Sequence, residues 1–322
     1  MKALVYTGPE QLEYLDVAEP PVRAGEQMVR VDSVGICGSD MHAFLGHDDR
    51  RPAPLILGHE VAGHLVDGRR VTVNPLVTCG SCRYCAEGRD NLCTTRQIIS
   101  MPPREGGFAE KAVLPERNLV EVPDGITDDQ AALAEPIACG WHGVRLARAV
   151  LGDDDTALVI GGGAIGVGAA LSLIAQGIRS VCLAEPNAIR RSFLQSRCGL
   201  DAVDPAALDP EMQFGFVVDG VGFDVTRATA STRVRPGGVV VHIGLGSAAG
   251  GLDIRRMTLQ EITFIGTYTY TAQDFRDTTT AMFDGRLGTL DWSETRPLSE
   301  GARAFADIRA GVVAAPKIVL KP

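Results

Sequence analysis

The sequence is poor in aromatic residues: two Trp, five Tyr and ten Phe make up 5% of its 322 residues. It is also short of positive charge, with 31 Lys and Arg against 40 Asp and Glu, a net charge of -9 and a pI near 5.2. A chain with no basic surplus lacks the electrostatic footprint that nucleic acids and anionic membranes require, so neither is expected as a partner. There is no internal repeat, no low-complexity tract and no N-terminal apolar run with a cleavage site, so no secretory leader is expected. One long stretch, 157–175, carries no charge, but Gly161, Gly162, Gly163, Gly166 and Gly168 interrupt it. It reads as strand, turn and helix rather than as a membrane span. With nothing marking the chain for export, a cytoplasmic location is expected.

What is present is a globular balance, 45% hydrophobic and 22% charged, which excludes disorder. The length suits two domains. Residues 1–137 are irregular and strand-rich, with β runs at 4–6, 27–34, 60–66 and 70–73 bounded by Gly, Pro and Asp. From 138 the texture changes. Strand-like runs at 156–160, 181–184, 202–203, 216–218, 239–243 and 262–265 alternate with helix-like segments near 164–176, 187–198 and 223–233 and a shorter connection near 252–260. That rhythm predicts right-handed βαβ units and a parallel sheet covered on both faces. From about 275 the pattern predicts one or two helices and a last strand at 317–320.

Three groups of residues carry chemistry. Cys79, Cys82, Cys85 and Cys93 follow a C-x2-C-x2-C-x7-C spacing. Four thiols so close in sequence can close a tetrahedral zinc site as thiolates. Two disulfides are the plainer alternative, disfavoured in a reducing compartment, and an iron–sulfur cluster is a weaker rival. Four protein ligands leave no open position, so this site is expected to be structural.

The second group is scattered: Cys37 in Gly35-Ile36-Cys37-Gly38-Ser39-Asp40, His59 and Glu60 in Gly58-His59-Glu60, and Glu135 before Pro136. Each alone is an ordinary core or turn residue. Together they supply a thiolate, an imidazole and a carboxylate, which suits a zinc site with one exchangeable position. Zinc, Cys37 and Glu60 sum to zero charge, so the metal keeps its Lewis acidity. On a regular strand His59 and Glu60 would face opposite ways, so the backbone must turn there. Either Glu60 or Glu135 is the third ligand.

The third group is Gly161-Gly162-Gly163-Ala164-Ile165-Gly166, a G-x-G-x-x-G turn between a strand and a helix, with Glu185 closing the next strand. Gly161 allows the tight turn, Gly163 the approach of a pyrophosphate, and Gly166 the packing of helix on strand. Glu185 suits a ribose 2′-hydroxyl and repels a 2′-phosphate, which favours NAD. Arg190 and Arg191 pull the other way, although a solvated helix face, with Arg190 over the adenine, accounts for them.

Taken together, these residues, with Ile243-Gly244-Leu245-Gly246, resemble the zinc-dependent medium-chain dehydrogenases of the sorbitol (polyol) dehydrogenase type, over nearly the whole chain. The resemblance implies an α/β protein in which a GroES-like, β-rich catalytic domain (1–137 and 275–322) is interrupted by a Rossmann domain, a doubly wound parallel sheet (138–274). It implies two zinc ions per chain, the catalytic one on Cys37, His59 and Glu60 with Glu135 beside it. Ser39 and His42 match positions that relay the alcohol proton past the nicotinamide ribose. Ala164, Ile165, Glu185, Arg190, Ile243, Gly244, Leu245, Thr267, Tyr268 and Thr269 match cofactor contacts. The implied activity is NAD-dependent oxidation of a secondary alcohol, a polyol or vicinal diol, to a ketone, in a homodimer or homotetramer. A zinc alcohol dehydrogenase or a threonine-dehydrogenase-like enzyme is the alternative. A zinc-free reductase or an inactive nucleotide-sensing homologue would lack the ligand or relay residues that are present.

The sequence departs from that pattern in places. The segment between Glu60 and Val71 is short, and Arg69 replaces an Asp. Ala43 stands for a tyrosine and Thr269 for an arginine of the substrate side, although Tyr270 is matched. These departures predict that sorbitol is a mediocre substrate. No Lys or Arg cluster is evident near the scattered ligands, which predicts exclusion of phosphorylated sugars. His47, His64, His142 and His242 are expected to be structural, and Cys139, Cys182 and Cys198 buried thiols.

Overall fold

The computed structural model describes residues 1–151 and 156–322. The N-terminal part is built on a sheet in which Glu26–Gly35 is central. Glu60–His64 pairs antiparallel with one edge of that strand and Lys317–Lys321 with the other, while Lys111–Pro115 pairs with its first half. The last strand of the chain is thus hydrogen-bonded to an early one, and Ser293–Pro297 lies outside it in parallel. An apolar cluster including Val34, Leu57, Phe108, Phe305 and Leu320 fills this half.

The second half is a six-stranded parallel sheet. Its spatial order is Asp201–Val203, Ser180–Ala184, Thr156–Ile160, Phe214–Asp219, Val234–His242, Thr263–Gly266. In chain order that is 3-2-1-4-5-6, the doubly wound order whose direction reverses beside the first strand. Both faces are buried, as all-parallel sheets require. Ala157, Val159, Phe216, Val218, Val239 and Val241 face one apolar cluster, and Leu158, Ile160, Val217 and Val240 the other. The uncharged stretch 157–175 resolves into the strand Thr156–Ile160 and the helix Ala164–Ala175. No helix among the described residues is long and apolar enough to cross a membrane.

Several elements exceed the sequence pattern. The hairpin strand Gln11–Asp16 is exposed almost throughout and Ser293–Pro297 is polar, so both give weak periodicity, while Lys111–Pro115 alternates over only five residues. The helix Ala134–Leu151 is the largest omission, and the expected boundary at 137/138 falls inside it. The helix Ala272–Phe283, with Leu287, Leu290 and Trp292, packs in the same apolar cluster as this helix and the parallel sheet.

Candidate active site

Cys37 follows the strand Glu26–Gly35 and caps the short helix Gly38–Phe44. His59 and Glu60 arrive from a second stretch. Gly58 has φ +88°, and a Cβ there would lie 2.5 Å from the Phe108 ring, so only glycine turns the chain at this point. The strand begins only at Glu60. His59 is therefore free of the alternation that would have turned the two side chains apart. One donor atom from each of Cys37, His59 and Glu60 lies within 4.8 Å of the others.

Asp40 ties these two stretches together. It is fully buried; its Oδ2 accepts the Cys37 N–H at 3.0 Å and its Oδ1 accepts the Gly58 N–H at 3.2 Å. The same Oδ1 lies 3.5 Å from His59 Nδ1, which also meets Ser100 Oγ at 3.3 Å. With Nδ1 engaged, Nε2 is the nitrogen left for a metal, and a carboxylate orients the ring, as is usual for ligating imidazoles. Glu60 Oε1 accepts from Lys317 Nζ at 2.5 Å, and that ammonium also donates to the Ile36 carbonyl at 2.7 Å. Burial alone would lower the Lys317 pKa, but the facing Glu60 and Cys37 charges raise it above its ordinary value. Glu60 Oε2 is buried and has no partner. An orphaned buried acceptor is costly, and it is the atom that a cation would satisfy. Lys317 adds a positive charge that the sequence reading did not count, and the buried Asp40 carboxylate beside His59 adds a negative one, so the balance with a zinc ion, Cys37 and Glu60 remains at zero.

These groups open onto a cleft of about 330 Å³. Cys37, Ser39, His42, His59, Glu135 and Cys139 line it, together with Ile165, Ile243, Gly244, Leu245, Thr267, Tyr268 and Thr269. Ser39 and His42 lie one turn apart on the helix Gly38–Phe44. Glu135 Oε1 accepts from the buried Tyr270 hydroxyl at 2.8 Å. Burial pushes the Glu135 carboxyl up, and the Glu60 charge adds to this, while His59, Tyr270 and Lys317 oppose it. Cys139, expected as a plain buried thiol, reaches this cleft, and burial holds it well above its ordinary pKa. Glu60 does not line the cleft itself, and its Oε1 is held by Lys317.

One expectation about the substrate side is overturned and another gains a structural context. Ala43 is 1% exposed, packs into the apolar cluster of the N-terminal half and itself makes no part of the cleft lining. A pair of arginines does stand near the ligands: Arg50 and Arg51 both line the cleft. They lie eight or more residues from His59 in sequence, on a segment without motif, and only the fold brings them to the wall.

The four-cysteine loop is compact. Cys79 and Cys85 sulfurs are 3.9 Å apart, Cys82 and Cys85 3.6 Å, Cys79 and Cys93 3.6 Å. Those separations match the edge of a tetrahedron of ligands ~2.3 Å from zinc, which is ~3.8 Å, and exceed a disulfide's ~2.05 Å. The Ser81 and Cys82 N–H groups, in that order, bring Cys79 down to about 5. The loop docks next to the cleft: Asn91 Nδ2 donates to the Tyr268 carbonyl at 2.8 Å, and Asp90 accepts the Ala272 N–H.

In the glycine turn, Gly161 has φ +99°, and a Cβ on Gly166 would lie 1.7 Å from the Gly161 carbonyl oxygen. Gly163 precedes the helix Ala164–Ala175 and has nothing within 4 Å of its Cβ position, which leaves room at the helix N-terminus for a phosphate. The buried Glu185 accepts the Gly162 and Asn187 N–H groups, both at 2.8 Å, one on each oxygen. Each oxygen keeps a lone pair for a hydroxyl donor. Arg190 donates to the Val313 carbonyl at 2.8 Å and its Nε is unpartnered. Arg191 is held by the Glu185 and Pro186 carbonyls and by Asp204. Of the other histidines, His142 binds Asp274 at 2.7 Å, His64 binds Asp32, and His242 lies 3.7 Å from Asp219.

Residues 23–124 match the family profile of the alcohol dehydrogenase GroES-like domain. The chain is 32% identical over 306 residues to L-galactonate-5-dehydrogenase of Escherichia coli, covering 89% of this chain and 88% of that one. It is 30% identical to sorbitol dehydrogenase of Bacillus subtilis, covering 77% and 76%. An E. coli structure described as a short chain alcohol dehydrogenase with NADH superposes with a TM-score of 0.89 at 26% identity, over 100% of this chain and 99% of that one. Solved relatives of this fold hold NADH or NADP. The chain belongs to the zinc-dependent medium-chain dehydrogenase family, and it is an oxidoreductase acting on CH–OH groups.

Proposed function

We propose that the protein oxidises a secondary hydroxyl of a polyhydroxylated substrate to a ketone, with NAD as hydride acceptor and two zinc ions per chain. The observation that carries this reading is the single cleft that gathers Cys37 and His59, Ser39 and His42, and the Ile243 and Thr267 segments. Cys37, His59 and Glu60 hold the catalytic ion in this reading, and the unpartnered Glu60 Oε2 supports Glu60 over Glu135 as third ligand. Glu135, tied to Tyr270, stands ready to accept from the substrate or from water. A zinc ion there supplies Lewis acidity that eases loss of an alcohol proton. Ser39 Oγ accepts that proton while giving up its own, which passes by the nicotinamide ribose to His42, a turn away, and from there toward solvent. Gly163 and the helix after it hold the pyrophosphate, Glu185 the adenosine ribose, and Arg190 flanks the adenine. The second ion, on Cys79, Cys82, Cys85 and Cys93, is structural.

The domain division proposed from the sequence is kept in kind, with a catalytic part at both ends of the chain. The packing of Phe275, Met282 and Trp292 against the parallel sheet supports a second crossing nearer Trp292 than 275. The strand Thr263–Gly266 ends the sheet, with Phe264 and Leu259 exposed beside it, and this open edge supports a homodimer or homotetramer. A reducing, cytoplasmic setting keeps the zinc thiols available. The test is NADH formation across secondary alcohols, vicinal diols and polyols, with zinc counted in the same preparation. NADH formation from a polyol by protein carrying two zinc ions is expected. Turnover with the catalytic ion absent, or with primary alcohols alone, would reject the reading.

A further inference from the structure

The substrate wall of the cleft holds a charged unit that the zinc and cofactor chemistry does not use. Asp48 sits between two guanidinium groups. Arg50 binds it through two nitrogens, Nε to Oδ1 at 2.7 Å and Nη2 to Oδ2 at 3.0 Å; Arg51 Nη1 donates to the same Oδ2 at 2.5 Å. Arg51 is 3% exposed and committed elsewhere as well, donating from Nε to the Ser100 carbonyl at 3.0 Å and approaching the Ser39 carbonyl and Oγ at 3.5 and 3.4 Å. Arg50 is the freer of the two. Asp48 occupies its Nε edge, so the edge formed by Nη1 and the second Nη2 hydrogen remains open, and both residues line the cleft.

The unit carries one positive charge in excess. Asp48 is held down to about 2, against the effect of its burial, by hydrogen bonds from Arg50 and by the charges of both arginines, so it is ionised at any working pH. One excess charge with one open guanidinium edge suits a carboxylate, which an arginine binds bidentately. A phosphate monoester, nearly a dianion at neutral pH, would face Asp48 with no second free cation among the described residues that line the cleft. The unit also joins the reacting end through a short chain of contacts, Arg51 to Ser100 to His59 Nδ1. Thr269, at φ +46°, also lines the cleft and adds a buried Oγ1 with no partner, a group waiting for a hydroxyl.

Resting on the dehydrogenase reading above, we propose that the substrate is a polyhydroxy carboxylate. Its carboxylate is bound by the open edge of Arg50, with Asp48 and Arg51 fixing that edge, and its remote secondary hydroxyl lies at the Cys37 and His59 end. Arg50 is a specificity-determining residue and takes no part in the proton or hydride steps.

The test compares kcat/KM with NAD⁺ for matched pairs, L-idonate with L-iditol and D-gluconate with sorbitol, alongside galactitol 1-phosphate and 2,3-butanediol, in wild type and in Arg50→Gln and Arg50→Lys. The best acid should exceed its alditol by at least tenfold. Arg50→Gln should reduce that ratio at least tenfold through KM for the acid, with Arg50→Lys recovering part of it, and KM for NAD⁺ should not follow. An alditol or the phosphate ester outrunning the acids would overturn the proposal. So would a rise in KM for NAD⁺ equal to that for the acid, which would give Arg50 to the cofactor. Turnover of the diol without any acid defeats this proposal alone; no NADH from any of these compounds defeats the dehydrogenase reading with it.

Discussion

The two sulfur-bearing clusters of this protein are built on opposite plans. The four-cysteine loop draws all its ligands from 79–93, and its sulfurs stand at tetrahedral spacing with every vertex supplied by the chain. The other cluster draws Cys37, His59 and Glu60 from two stretches, mixes three donor chemistries, and leaves one buried oxygen unpaired beside a substrate cleft. The closed plan suits holding the fold; the split plan suits exchange of a ligand. The split cluster also needs support that the closed one lacks, and Asp40, Ser100 and Lys317 supply it. Asp40 stood in the Gly35–Asp40 motif without a role assigned to it, and Ser100 and Lys317 did not stand out in the sequence at all, because buried supporting groups have no spacing rule.

The sharpest way to break this contrast is a pair of substitutions. Cys37→Ala should cut kcat at least roughly a thousandfold while the thermal midpoint moves little, and zinc should fall from two ions to one. Cys85→Ala should lower stability by about 2 kcal/mol or more, visible as a fall of several degrees in Tm, because a closed zinc site contributes folding free energy directly. Wild-type turnover in Cys37→Ala, or an unchanged Tm in Cys85→Ala, would exchange or dissolve the two roles.

Next in size is the cofactor preference, which belongs with the locally encoded sites. Glu185 should favour NAD over NADP by about a hundredfold or more, since a carboxylate facing a 2′-phosphate costs several kcal/mol. Glu185→Ser should narrow that ratio. Arg191 is already held by Asp204, which leaves Arg190 to gain the phosphate contact. Equal kcat/KM for the two cofactors in the wild type would remove the role given to Glu185.

A smaller effect is expected at Asp40. Asp40→Asn preserves shape but withdraws the charge that orients His59, and loss of such support typically costs about ten- to a hundredfold in metal affinity or activity. Metal titration of the apoprotein followed by zinc analysis separates this from unfolding. An unchanged affinity would mean that the split cluster stands without its buried carboxylate.

The smallest effect lies away from both clusters, at the clamp between the helices Ala134–Leu151 and Ala272–Phe283. Asp274 accepts from His142, Arg145 and Thr271. Burial works to raise its pKa, but these bonds hold it well below the usual carboxylate range. A depressed folded pKa gives stability that is full above the unfolded value of ~3.9 and is lost as pH falls toward the folded one. Asp274→Asn should therefore cost about 1–3 kcal/mol at neutral pH, and the gap to wild type should begin to narrow below pH ~4. Denaturant midpoints measured from pH 3 to 7 check this, and a gap independent of pH would show that the clamp does not depend on charge.

The sequence by itself determined what is local. The alternation of apolar strands and helices fixed the parallel sheet, because period-two and helical repeats are properties of neighbouring residues. The C-x2-C-x2-C spacing and the glycine turn fixed two sites within a few turns of chain, with Gly161 at φ +99° and Gly166 against a carbonyl, as backbone sterics demand. Tertiary structure decided what is distant. It turned His59 and Glu60 toward one point through Gly58, set Lys317 against Glu60 across 257 residues of chain, and buried Ala43 in the apolar cluster. It also carried Arg50 and Arg51 to the cleft wall. The physical reason is the same in each case: charge and burial act through space, and the distance between two side chains is set by how the sheets pack, not by how many residues separate them.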